Sequence, residues 1–156
     1  MREIIYKILV FLGLINEKKE IIREETIYQK RNLMTNYEYK FYQNIKELED
    51  EYQIVPQLNL AAVTKKINNN RYYSELFRNI DFAIFSKDYQ ELLLLIEIND
   101  QTHNNYNRRD RDMKVKKICN DIGVKLITFY TKYPNEKTYV INRIKSELDT
   151  NKDINK

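Results

Sequence analysis

The stretch from Leu92 to Ile98, LLLLIEI, is an almost unbroken aliphatic run of strand length, and it leads into Asn99 and Asp100. A strand that is apolar at successive positions has to be covered on both faces, which is the setting of a central strand in an α/β sheet. The preceding run, Ile80 to Ser86, alternates and then turns apolar. Only Lys87 to Glu91 separate the two runs, so they read as a hairpin whose second strand is fully buried. After an amide-rich loop, Gln101 to Asn107, the residues Met113, Val115, Ile118, Cys119 and Ile122 recur at helical spacing as far as Gly123. Val124 to Tyr130 then forms another strand. A helix between two strands of one sheet implies a parallel crossover, so the sheet is mixed.

The flanking elements complete this pattern. Thr35 or Asn36 caps a helix running to about Glu51, with Glu38 three residues after Thr35 and Tyr37, Phe41, Ile45 and Leu48 as its buried stripe. Gln53 to Leu60, around Pro56, reads as an edge strand, and Ala61 to Ile67 as a turn of helix. Val140, Ile141, Ile144 and Leu148 line a last helix, and residues 150–156 are expected to be a disordered tail. The expected class is therefore α/β over residues 34–149, a mixed central sheet of about four strands flanked by helices in the order αβββαβ.

Residues 1–33 form a separate N-terminal arm in this reading. Ile4, Ile8, Phe11, Leu12 and Ile15 share one helical stripe, and Glu17 to Arg31 reads as a second helix or a helical linker. The apolar run of 12 residues is short for a membrane span, which takes about 20, and no small-residue cleavage site follows it. A core or partner-facing helix is expected, with homodimerisation or interfacial membrane anchoring as alternatives.

Composition removes several function classes. The two glycines, Gly13 and Gly123, lie too far apart for a phosphate-cradling loop or a dinucleotide fingerprint. The single Cys119 makes neither an internal disulfide nor a cysteine zinc site, which fits a reducing compartment, the cytoplasm. Net charge is +4, unevenly placed: residues 101–125 hold seven Lys/Arg against three Asp, and residues 34–100 seven basic groups against eleven acidic ones. An acidic segment followed by a basic one suits a carboxylate metal site beside a phosphate-binding surface, although a solvated helix face gives the same count.

Asp81 begins one central strand and Glu97 ends the next, with Asn99 two residues on and Asp100 after it. Residues two apart on a strand face the same way, so Glu97 and Asn99 share a side, and a hairpin partner brings Asp81 to them. Oxygen-only clusters suit Mg²⁺ or Mn²⁺. From the residues alone, a strand-entry cap at Asp81 and a turn start at Asp100 account for these acids at least as well. His103, the single histidine, follows Glu97 by six residues and is of the type that exchanges protons near neutral pH. Arg109, Asp112 and Lys116 recur at helical spacing, either as a phosphate-holding stripe or as an exposed face with an Asp112–Lys116 ion pair.

The strings IDFAIF (80–85), LLLIEINDQTH (93–103), RRDRD (108–112) and GVKLITF (123–129) together resemble the PD-(D/E)XK, or restriction-endonuclease-like, nuclease superfamily. More narrowly they resemble a bacterial domain of unknown function with an I-E-L-D-D-x-S-H signature, and they are also similar to the very-short-patch-repair endonucleases. The resemblance spans about residues 35–130. It implies a restriction-endonuclease-like core and an endonuclease acting on DNA with Mg²⁺ or Mn²⁺. Asp81 and Glu97 match the metal ligands, Glu38 a supporting acid, and His103 a histidine acting on water or the leaving group. Gln57 matches a polar residue near the site, with Asp100 and Asp112 supporting it and Arg108, Arg109, Lys114 and Lys116 contacting nucleic acid. Asn99 stands where the superfamily has Lys and the narrower branch Asp. That departure raises the alternative of a catalytically weak module that binds DNA or mediates assembly.

Overall fold

The computed structural model describes residues 2–13, 27–67, 74–99 and 106–154. It divides into two compact units, Met1–Arg31 and Asn32–Lys156. In the first unit a helix, α1 (Arg2–Phe11), carries the expected apolar stripe, of which Ile4, Ile8 and Phe11, with Leu12 just beyond the helix, are exposed. Of the expected second helix, Glu17 to Arg31, residues 17–26 lie outside the described residues, and residues 27–31 are not helical. Among the described residues no helix is long and apolar enough to cross a membrane.

The second unit opens with α2 (Asn36–Ile45), which passes into a 3-10 turn over Lys46–Asp50. Four strands follow in the spatial order β1-β2-β3-β4: β1 (Gln53–Asn59), β2 (Asn79–Phe85), β3 (Leu92–Asn99) and β4 (Lys125–Tyr130). β1, β2 and β3 pair antiparallel, whereas β3 and β4 pair parallel across α3 (Tyr106–Asp121). The closing helix α4 spans Lys137–Ile154. The protein is thus α/β with a mixed four-stranded sheet flanked by helices.

The sheet is covered on both faces, as the aliphatic run demands. Leu94, Leu95 and Ile96 are consecutive and all fully buried. Leu94 and Ile96 join Phe82, Ile84, Ile127 and Phe129 against Phe41 and Ile45 of α2 and Val140, Ile141 and Ile144 of α4. Phe41 is central there, with its ring 5.7 Å from that of Phe82 and 5.0 Å from that of Phe129. On the other face Leu95 joins Ala83 and Phe85 against Val115 and Cys119 of α3. Each fully buried aliphatic side chain contributes about 1.5–3 kcal/mol relative to exposure.

Local chemistry fixes the element ends. Thr35 makes the expected capping box: Glu38 N donates to Thr35 Oγ1 (3.2 Å), and Thr35 N donates to Glu38 Oε2 (2.6 Å). Gly123 ends α3 at φ +71°, with Gly123 N bonded to Asn120 O and Val124 N to Cys119 O, a Schellman pattern.

Three expectations need correction. α4 continues to Ile154, through most of the stretch expected to be disordered, because an established helix extends at little cost per residue. Met113 is exposed rather than part of the buried stripe of α3, since the helix turns only Val115 and Cys119 fully inward. The segment from Ala61 is not an extended helical turn: a 3-10 helix covers Leu60–Ala62 alone.

Candidate functional site

The alternation of β2 and β3 sends Asp81, Glu97 and Asn99 to the side of the sheet that holds Ala83 and Leu95, the side covered by α3. The pairing Phe82↔Ile96, continued by one step, sets Asp81 opposite Glu97. Asp81 Oδ2 accepts a hydrogen bond from Ile98 N at 2.6 Å, which ties its carboxylate to the far end of β3. Asp81, Glu97, Ile98 and Asn99 line a cleft of about 390 Å³ together with Phe77 and Arg78 just before β2, Asn79 at its start, and Asp112 and Val115 from α3.

Two further residues reach Asp81 from elements distant in sequence. The pairings Pro56↔Phe82 and Leu58↔Ile80 leave Gln57 opposite Asp81 but outside the ladder, and its backbone is left-handed at φ 53°. Non-glycine residues avoid this region, and such strain gathers at functional positions. Gln57 Nε2 donates to Glu38 Oε1 at 3.3 Å. Because Glu38 Oε2 is already held by Thr35 N, both oxygens of Glu38 are oriented, and its carboxyl shares a hydrogen bond with Asp81. One capping residue thus serves the helix and the site at once.

Burial and crowding set the protonation of this cluster. Asp81 is pushed up to about 7, chiefly because burial disfavours its charge, and also by the negative charges of Glu38 and Glu97; the Ile98 amide pulls the other way. Glu97 acts on its surroundings too. Cys119, buried beneath the sheet, is pushed up to about 11 by desolvation first and the charge of Glu97 second.

Among the described residues no three His, Cys, Asp or Glu side chains form a group spaced to hold a metal ion. Mg²⁺, however, is usually held by one or two carboxylates with waters and substrate phosphates completing its shell. Asp81 and Glu97 supply two hard oxygen donors whose mutual repulsion a divalent cation relieves, so the residues present fit that ion.

The remaining sequence-predicted residues fall in several places. Asp100 and His103 lie outside the described residues, and Arg108 and Arg109 fall in the first turn of α3, with only their backbone described. Lys114 and Lys116 are exposed on α3. Lys114 lies close enough to Glu75 to help lower that acid's proton affinity, after the larger effect of a hydrogen bond from Lys66. Among the described residues the i, i+4 ion pair on α3 is Lys117–Asp121, not Asp112–Lys116, which leaves Asp112 turned to the cleft.

Phe77, Arg78 and Asn79 are cleft residues that the sequence patterns do not single out. The available signal is position: a basic residue three before Asp81, beside an aromatic that remains 67% exposed.

A family model described as a protein of unknown function (DUF2726) matches residues 30–150. The chain belongs to the DUF2726 family. The match takes in every element that builds the cleft, from the Thr35 cap to α4, and it agrees with the sequence resemblance at its coarser level, a domain of unknown function. No curated protein and no solved structure matches this DUF2726 chain.

Proposed function

We propose that the chain is a metal-dependent nuclease that hydrolyses phosphodiester bonds, with DNA as its substrate. The observation that carries this reading is the meeting of Glu38, Gln57, Asp81 and Glu97, from α2, β1, β2 and β3, at one end of the sheet. The resemblance to the PD-(D/E)XK superfamily implies these same four residues, and the bond from Gln57 to Glu38 together with the closeness of Glu38 and Glu97 to Asp81 supports the reading. In this reading Asp81 and Glu97 hold Mg²⁺ or Mn²⁺. When held there, such a cation would supply Lewis acidity toward the scissile phosphate and a more acidic water. The chain does the rest: Gln57 and Thr35 aim Glu38 at Asp81, Ile98 N fixes Asp81, and Arg78 offers a cation at the cleft for the phosphate.

The test is cleavage of plasmid and linear DNA in Mg²⁺ or Mn²⁺ by the wild type, Asp81→Ala and Glu97→Ala. We expect cutting by the wild type and a loss of at least a hundredfold in each variant. Equal cutting by all three, or none by the wild type, sinks the catalytic reading.

A second reading, a nuclease-fold module that binds DNA without efficient turnover, is favoured by one specific observation. Asn99 stands in the cleft where the resemblance expects a charged residue. It requires salt-dependent DNA binding with no metal-dependent cleavage.

A further inference from the structure

β4 is an edge strand, so its outward carbonyls need partners other than a neighbouring strand. Thr128 O accepts from Arg143 Nη1 at 3.1 Å, and Tyr130 O from Asn135 Nδ2 at 3.0 Å. These caps satisfy two of the outward carbonyls, and the capping residues line a second cavity of about 500 Å³ beside α4.

This cavity differs in kind from the acidic cleft. Phe129, Tyr130, Tyr133 and Tyr139 are among its lining residues; Phe129 is buried, whereas Tyr133 and Tyr139 remain 55% and 54% exposed. Exposed rings gathered round a cavity mark a binding surface more often than chance. The walls are preformed. Asn135 is buried at φ 48°, also donates to Tyr37 Oη at 2.8 Å, and accepts from Asn44 Nδ2 at 3.3 Å. Tyr139 stands edge-on to Phe129. Two cations attend the rings: the Arg143 guanidinium lies 4.7 Å from the Phe129 ring centre, and Lys132 Nζ 5.0 Å from that of Tyr133. Glu136 is the single acid of the lining.

Flat aromatic walls with cations beside them suit a nucleobase and its attached phosphate. The two cavities share the β3–β4 strand pair, in which Tyr130 pairs with Asn99, but they lie on opposite faces of the sheet, the acidic cleft under α3 and this cavity beside α4.

We propose that this pocket binds an unpaired nucleotide of the nucleic-acid strand, its base stacked on Tyr133 and Tyr139 and its phosphate beside Lys132. The identity of the ligand as a nucleic-acid strand rests on the nuclease reading above. A fully paired duplex presents no free base face, so the pocket selects single-stranded, gapped or frayed substrate.

The test follows the fluorescence of 2-aminopurine in a single-stranded oligonucleotide, in an intact duplex, and as the free nucleoside monophosphate, with metal chelated. Wild type should bind and quench the single strand in preference to the duplex. Tyr133→Ala and Tyr139→Ala should each weaken that binding about tenfold, while Tyr133→Phe and Tyr139→Phe, which keep the ring, should bind as wild type does. Both tyrosines are more than half exposed, and a thermal melt of each variant verifies the fold. Undiminished binding by both alanine variants overturns the proposal. So does equal quenching of the duplex, and tight binding of the free monophosphate alone would make this a small-nucleotide site instead. Wild-type protein that quenches but never cuts loses the nuclease and keeps the pocket; protein that cuts with no loss in the alanine variants loses the pocket and keeps the nuclease.

Discussion

Asp81 joins stability to chemistry at a single carboxyl. Its folded value of about 7 lies above the ordinary 3.8, so between those values the native state holds a proton that the unfolded chain has released. Stability therefore falls as pH rises from about 4 to about 7 and levels off above, with this one group responsible for on the order of 2–4 kcal/mol. Asp81→Asn removes the buried charge and keeps the side-chain volume. We expect the variant to be more stable than wild type at pH 8 by part of that amount, and to lose the decline between pH 4 and 7 in urea titrations, while losing DNA cleavage. An unchanged pH profile would mean that the carboxyl is far better solvated than its neighbours imply. Asp81 and Glu97 were legible because acids at the end of greasy strands stand out against burial. Gln57 was named only through the family resemblance, since its place beside Asp81 depends on a left-handed φ and a break in the ladder that no residue pattern announces. Phe77 and Arg78 stayed hidden for a related reason: they precede a strand, and only the closing of the cleft gives them a place in it.

At the scale of elements, the strands and their pairing followed from the sequence because period-two alternation and uninterrupted apolarity report directly on how many faces a strand buries. The start of α2 was equally readable, since Thr35 and Glu38 satisfy each other's backbone locally. Ends governed by continuation were less so. The composition of residues 150–156 is that of a tail, yet a helix already nucleated through Leu148 carries on into it. The Schellman ending of α3 permits a quantitative check. A Cβ at Gly123 would meet nothing within 4 Å, so Gly123→Ala introduces only the backbone cost of φ +71°. We expect a loss of about 1–2 kcal/mol in equilibrium unfolding without change in cleft chemistry. Thr35→Ala should cost about 1 kcal/mol as a lost cap, because it removes the acceptor of Glu38 N, whereas the backbone bond from Thr35 N to Glu38 Oε2 survives and keeps the carboxylate oriented.

For the whole molecule, the decisive quantity is the distribution of charge rather than its total of +4. The carboxylates concentrate at one end of the sheet, and the following basic segment becomes α3, which packs over the face they share. On that helix the lysines are not equivalent. Lys116 lies one turn beyond Asp112, which lines the cleft, whereas Lys117 is rotated about 100° further round and engaged with Asp121 at 2.6 Å. If α3 meets the phosphate backbone along the cleft, Lys116→Ala should weaken duplex DNA binding across all sequences and reduce the slope of log K against log salt by about 0.9, the value for one phosphate contact. Lys117→Ala should change the slope much less, because in wild type that charge is partly neutralised by Asp121. The measurement is fluorescence anisotropy with a labelled duplex over a salt series, metal chelated so that nothing is cut. Equal slopes for Lys116→Ala and wild type would move the contact surface off this face of α3, and a larger effect from Lys117 would rotate it by the angle between the two side chains.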